Sequence, residues 1–160
     1  MSAADPGAVR RARARDRDAL VALWMALTEH HASFDPLFAL RPDAEAEIRR
    51  LVGAQLRDPD SALYVAEQAG AIVGFCGVRV DQAPPVHEEI LRSEVTDLFV
   101  AADARRRGLG RALLRAGLDW ARSQGTDRVE VRVSPRNAEG QAFWRSSGFA
   151  EFMDVLHRRL

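Results

Sequence analysis

Leu98-Phe99-Val100-Ala101-Ala102-Asp103-Ala104-Arg105-Arg106-Arg107-Gly108-Leu109-Gly110-Arg111-Ala112-Leu113-Leu114 decides how this chain is read. An apolar strand pattern runs into a short turn, three consecutive arginines, Gly-x-Gly, and a helix with Leu109, Leu113, Ala116 and Trp120 in one stripe. Gly108 and Gly110 let a ligand approach backbone where a Cβ would stand in the way. The first N–H groups of a helix lack intrahelical acceptors, and the positive end of its dipole lies there, so this turn can take an anion. From Arg105 to Arg115 there are five arginines and no acidic residue, which suits phosphate oxygens. A solvated arginine face over a tight turn would account for the same residues. No Gly-Lys-Ser/Thr follows, so this is not a nucleotide P-loop, and Leu113 stands where a dinucleotide fingerprint needs its third glycine.

Glu94 to Val100 is apolar on both faces through Val95, Leu98, Phe99 and Val100, as a buried central strand is. The helix over 108–123 ends before Gly125, and Val129, Val131 and Val133 then alternate in a strand. Asn137 to Ser147 reads as a further helix closed by Gly148, and Phe149 to Leu160 as a last strand. At the other end, residues 1–8 form a flexible tail and Val9 to Ala14 a short strand. Asp16 or Asp18 then caps a helix carrying Leu20, Leu23, Trp24, Leu27 and His31 on one face. His30 to Pro42 is an irregular link, and Pro42-Asp43 opens a helix with Ala44, Ile48, Val52 and Leu56 at helical spacing. Ala62 to Glu67 and Ile72 to Val80 make a hairpin, followed by a polar loop with Pro84-Pro85 over 81–92. Strands and helices thus interleave in a single α/β domain over 9–160, antiparallel at its start and β-α-β in its second half.

The 160 residues fit one domain, and 47% hydrophobic with 29% charged residues is the balance of a globular chain. At this size roughly two-thirds of the chain's surface can be buried, so a core needs neither disulfide nor metal. A single cysteine, Cys76, excludes an internal disulfide framework and a Cys-based zinc site, and reads as a small buried hydrophobe. The four histidines form no i, i+4 pair, so no metal constellation is expected. Basic and acidic residues number 23 each, which argues against a surface built to coat nucleic acid. Every basic residue is arginine, which reads as the codon usage of a GC-rich, bacterial genome. No apolar run approaches about 18 residues and the first residues lack a secretory apolar core, so a cytoplasmic protein without a membrane partner is expected.

Arg105-x-x-Gly108-x-Gly110 after Asp97-Leu98-Phe99-Val100 resembles the acetyl-CoA loop of the GNAT superfamily of N-acetyltransferases. Asn137-Ala-Glu-Gly-Gln-Ala-Phe-Trp-Arg-Ser-Ser-Gly-Phe149 is similar to that family's later motif, an Asn-initiated helix ending in an aromatic, three residues and Gly-Phe. One helix and one strand fit between the two motifs, as that fold requires. The opening Val9-Arg-Arg-Ala, with Asp16, Asp18-Ala and Leu23-Trp24, resembles the family's first strand and helix, so the likeness runs from Val9 to the end. It implies an α/β (α+β) fold: a mixed, mostly antiparallel sheet of about six to seven strands flanked by roughly four helices.

The resemblance also implies roles. Acetyl-CoA would place its pyrophosphate on the amides of Arg106, Arg107, Gly108, Leu109, Gly110 and Arg111, with Arg105 adding charge, and CoA would leave as product. Leu98, Phe99 and Val100 would hold the pantetheine arm as an added strand, the Leu98 amide also polarising the thioester carbonyl. Asn137 would bond near that arm, or serve as a plain helix N-cap. Acetyl transfer to an amine needs a base, since an alkyl ammonium has a pKa near 10. Glu94 is the first candidate and Asp97 the rival, on the opposite face by strand alternation. Either could instead be a structural carboxylate. His30, Phe34 and Asp35 would line the acceptor pocket, and Glu88 could hold a cationic amine; His31 reads as a core histidine. Trp144 stands where many relatives have a tyrosine acid, and an indole N–H cannot fill that role; it would pack along the pantetheine arm or in the core.

The expected reaction is direct transfer from acetyl-CoA to a primary amine of a small molecule or peptide. A non-catalytic acyl-CoA-binding regulatory module of the same fold is the alternative. A toxin-like enzyme acting on charged transfer RNA would need a basic surface, against which the zero net charge stands. Relatives often pair through terminal strands, so the resemblance suggests a homodimer.

Overall fold

In a computed structural model that describes residues 7–160, an antiparallel hairpin forms the centre of the sheet. Its strands are β2 (Ser61–Gln68) and β3 (Ala71–Gln82). β1 (Ala8–Arg11) lies antiparallel beside β2, and β4 (Leu91–Val100) antiparallel beside β3. β5 (Val129–Val131) closes the order β1-β2-β3-β4-β5 and is the one parallel neighbour, reached from β4 through helix α3 (Leu109–Ser123). A crossover helix is what a parallel connection needs.

The other helices are α1 (Arg17–Ala32), α2 (Ala44–Gln55) and α4 (Ala138–Ser146). One face of the sheet packs Leu63, Val65 and Phe75 against Leu20, Val21 and Leu27 of α1 and Ile48 and Val52 of α2. The opposite face packs Ala66, Cys76 and Val95 against Leu109, Leu113 and Leu114 of α3 and Trp144 of α4. The alternation of Val65 with Ala66, and of Phe75 with Cys76, is the period of two that assigns neighbours to opposite layers.

Three expectations need correction. The sheet has five strands, because residues 149–160 form no strand: Phe149 packs on Trp144, and residues 150–160 lie exposed, with Phe152, Met153, Val155 and Leu156 all at least 68% accessible. Their strand-like sequence finds no pairing partner among the described residues, and a strand needs a ladder as well as a propensity. β1 begins at Ala8, inside the tail expected over 1–8, whose first six residues lie outside the described ones. It also ends at Arg11 rather than Ala14, because the chain turns there into a 3-10 turn, Ala14–Asp16. Asp16 fastens that turn by accepting from the Arg13 amide at 2.7 Å and from Arg10.

Candidate active site

β5 follows β4 only where Ser93–Val95 meet Val129–Val131, whereas β3 stays beside β4 as far as Val100. A wedge therefore opens on the β5 side of β4 over its last five residues. Ala101 donates its N–H to Val73 O at 2.8 Å. By alternation the backbone groups of Phe99 then turn to β3 and those of Leu98 and Val100 to the wedge. Arg105 Nε donates to the Val100 carbonyl at 2.9 Å, its guanidinium 5.5 Å from the Phe99 ring centroid. Arg105 thus fixes the end of β4, with Glu139 of α4 3.5 Å away, and is not simply one charge among its neighbours.

Asp97 does not face away from Glu94. The β3–β4 register pairs Val78 with Val95 but Gly77 with Asp97, so β4 carries one extra residue, a β-bulge. Thr96 and Asp97 therefore both emerge on the α1 side, the side of Glu94 and Phe99. Gly77 makes this arrangement fit: a Cβ there would lie 2.6 Å from Thr96 Oγ1 and 3.3 Å from Asp97 Oδ2. A glycine inside an apolar strand marks bulges, so Gly77 was the sequence signal for this shift.

The two carboxylates sit in different surroundings. Glu94, 14% exposed, accepts from Arg79 Nη2 at 2.7 Å, and Arg132 Nε lies 3.7 Å from its other oxygen. Asp97 is lifted to about 6, chiefly by burial; the Thr96 hydroxyl and Arg79 act downward and the Glu94 charge upward. Such a carboxyl exchanges protons near neutral pH, as a general base must.

Across the wedge lies the arginine-rich turn. Gly108 has φ +81° and Arg106 φ +61°, left-handed conformations in which glycine is at ease. Ala112 donates the first helical bond, to Gly108 O. The amides of Leu109, Gly110 and Arg111 therefore precede the ladder. A Cβ at Gly110 would make only ordinary contact with Phe143 and Val100, so protein packing does not require glycine there. The Leu109 side chain is core, 3% exposed, leaving its amide as the group it can offer.

Asn137 caps α4, its Oδ1 accepting from Gly140 N at 2.9 Å, which leaves the Nδ2 donors over. Trp144 is 9% exposed and stacks edge-on to Phe143 and Phe149, a core position. His30 meets Phe34 edge-on at 4.7 Å, and Asp35 bonds the Leu37 amide at 2.9 Å and Arg136 at 3.0 Å. Burial, then the neighbouring His30, lowers the pKa of His31. Glu88 is exposed in the 83–90 loop and is not brought to the other acids; its neighbour Glu89 binds Arg128. Buried Cys76 has its thiol pushed up to about 12 by burial and the Asp97 charge. Arg79, Arg132 and Arg136 enter the site without any local motif to announce them.

A model of the acetyltransferase (GNAT) family matches residues 23–149, and the chain belongs to that family. It is similar to the mycothiol acetyltransferase of Clavibacter sepedonicus, 36% identical over 103 residues, 64% of this chain and 31% of that protein. It thus spans about a third of the length of the mycothiol acetyltransferases it matches. YhfO of Bacillus subtilis, named as an uncharacterized N-acetyltransferase, is 25% identical over 93% of both chains. Among solved structures, a mutant of Bacillus halodurans BH1408 superposes with a TM-score of 0.85 at 20% identity, over 96% of this chain and 99% of that one. Aminoglycoside N-acetyltransferase AAC(6')-Iy in complex with CoA gives 0.79 at 17%, over 100% and 98%. The family's acyl donor is acetyl-CoA. The wedge beside Leu98, the free helix amides and the space at Gly110 fit such a ligand.

Proposed function

We propose that this chain is an acetyl-CoA-dependent N-acetyltransferase acting on a primary amine of a small molecule or peptide. The observation that carries it is Asp97, a carboxyl lifted to about 6 on the same face as Glu94, beside the Leu98 amide that turns into the wedge. Leu109, Gly110 and Arg111 amides with the neighbouring Arg106 and Arg107 would hold the pyrophosphate, and Leu98 and Asn137 the pantetheine arm. The bound donor supplies an acetyl group activated as a thioester.

Asp97, ionised above about pH 6, accepts a proton from the acceptor's ammonium, directly or through one water. The Leu98 N–H donates to the carbonyl oxygen as charge gathers there. Glu94 is committed to its ion pairs with Arg79 and Arg132, which hold those two guanidinium groups beside Asp97. Trp144 serves as packing; the second proton lost from the acylated nitrogen would pass through solvent to the departing thiolate, whose thiol pKa near 8.5 lets it leave without a dedicated acid.

Melting curves with acetyl-CoA and with CoA test the donor site. A ligand at about 100 times its Kd stabilises by roughly 2.7 kcal/mol, several degrees for a domain of this size. Thiol release with an amine panel then tests transfer. A melting shift with no thiol release on any amine would leave the acyl-CoA-binding module instead, and no shift at millimolar donor would overturn both.

A further inference from the structure

Arg136 Nη1 donates to Asp35 Oδ2 at 3.0 Å and to the Phe34 carbonyl at 3.3 Å, joining segments 101 residues apart. One end lies in the link after α1, the helix that packs on the Glu94, Asp97 and Phe99 side of β4. The other end immediately precedes Asn137, on the far arm of the wedge. The pair therefore ties the link after α1, the helix on the Asp97 face of the sheet, to the chain that enters α4.

Its two partners are unequal. The Asp35 side chain is 19% exposed and fixed by the Leu37 amide, which bonds its other oxygen at 2.9 Å; Arg136 is 62% exposed. A carboxylate oxygen and a backbone carbonyl thus form a rigid cradle for a cation, occupied by a guanidinium with room to swing away. A primary ammonium carries three N–H donors and satisfies the same two oxygens.

We infer that Asp35 and the Phe34 carbonyl are a subsite for a second cationic group of the acceptor, with Arg136 as the resident cation that such an acceptor displaces. This rests on the N-acetyltransferase reading and narrows its substrate class to amines carrying a further positive charge. The reacting amine gives up its proton at Asp97, and the second ammonium stays charged at Asp35. With its arginine exposed to solvent, the pair is held weakly enough for a ligand to displace that guanidinium.

The test compares 1,5-diaminopentane with pentylamine, equal in length and differing by one charge, in thiol release with acetyl-CoA. Wild type should favour the diamine in kcat/KM. Asp35→Asn keeps an acceptor for the Leu37 amide but loses the charge, and should bring the ratio of the two amines towards one. Arg136→Gln removes the competing cation and should raise kcat/KM for the diamine about two- to five-fold, mostly through KM. A merely structural pair would make both variants move the same way. The inference is overturned if wild type does not prefer the diamine or if the two variants shift in the same direction. Melting shifts with acetyl-CoA, recorded on all three proteins, separate that result from failure of the acetyltransferase reading, in which the donor itself would not bind or no amine would release thiol.

Discussion

Glu94 and Asp97 project from the same face of β4, three positions apart on a strand whose alternation would put them on opposite faces. One extra residue opposite Gly77 reverses the parity, and the absence of a Cβ at Gly77 makes space for Thr96 and Asp97 together. Glu94 is spent on Arg79 and Arg132, while Asp97 keeps a lifted carboxyl.

Asp97→Asn should lower kcat by roughly 10²- to 10⁴-fold, the usual weight of a general base. Glu94→Gln should cost about tenfold or less, since its ion pairs are electrostatic support. In wild type, kcat/KM should rise with pH through about 6 and then level, because the base works only when ionised. An Asp97→Asn enzyme with near wild-type turnover would remove Asp97 from the chemistry.

The same substitution should stabilise the fold at neutral pH. The Asp97 carboxyl sits at about 6 when folded and near 3.8 when unfolded, so the folded state carries the cost of a buried charge above pH 6. That cost fades as pH falls from 6 to 4, where both states become protonated. Asp97→Asn should therefore raise Tm at pH 7.5, by a free energy of about 1–3 kcal/mol, and show no advantage below pH 4. Equal melting temperatures at pH 7.5 would contradict this.

Gly77→Ala should destabilise by about 1–3 kcal/mol, because the new methyl meets Thr96 and Asp97 in a closed layer. Loss of activity should exceed the loss of folded protein, as Asp97 is pushed from its place. Denaturant melts beside turnover per folded molecule would separate the two effects.

Gly110→Leu and Gly108→Val should differ instructively. A Cβ at Gly110 meets Phe143 and Val100 only at ordinary contact distance, so this variant should lose far more of the acetyl-CoA shift than of its Tm. At Gly108, φ +81° makes any side chain costly by roughly 1–2 kcal/mol, so stability and ligand shift should fall together. A full acetyl-CoA shift in Gly110→Leu would move the donor site elsewhere.

Cys76 should not react with a disulfide reagent at pH 8 while the protein is folded, since its thiol is buried and raised to about 12. Released CoA can then be followed against a silent protein thiol. Rapid labelling of the native protein would disprove the burial.

Periodicity carried much of the fold. Leu109, Leu113 and Trp120 announce α3 and its buried stripe, and Asn137 and Gly148 bracket α4, because helix faces and caps are written within a few residues. The arginine turn was legible for the same reason: Gly108 answers a local backbone demand. The final strand failed because a ladder depends on a neighbour far along the chain, and Phe149–Leu160 has none among the described residues.

The interleaved helices and strands, the glycine–arginine turn and the family are properties of short segments, and they can be read from the chain in order. Tertiary contacts put Asp97 on the face of Glu94 and lifted its carboxyl, while Glu94 was taken up in ion pairs. That depended on β3, whose Gly77 admits the bulge and whose Arg79 pairs with Glu94, and on Arg132 just past β5. The facing of Asp35 and Arg136 likewise exists only once segments 101 residues apart are brought together. Charge and burial act through space, and local sequence encodes neither.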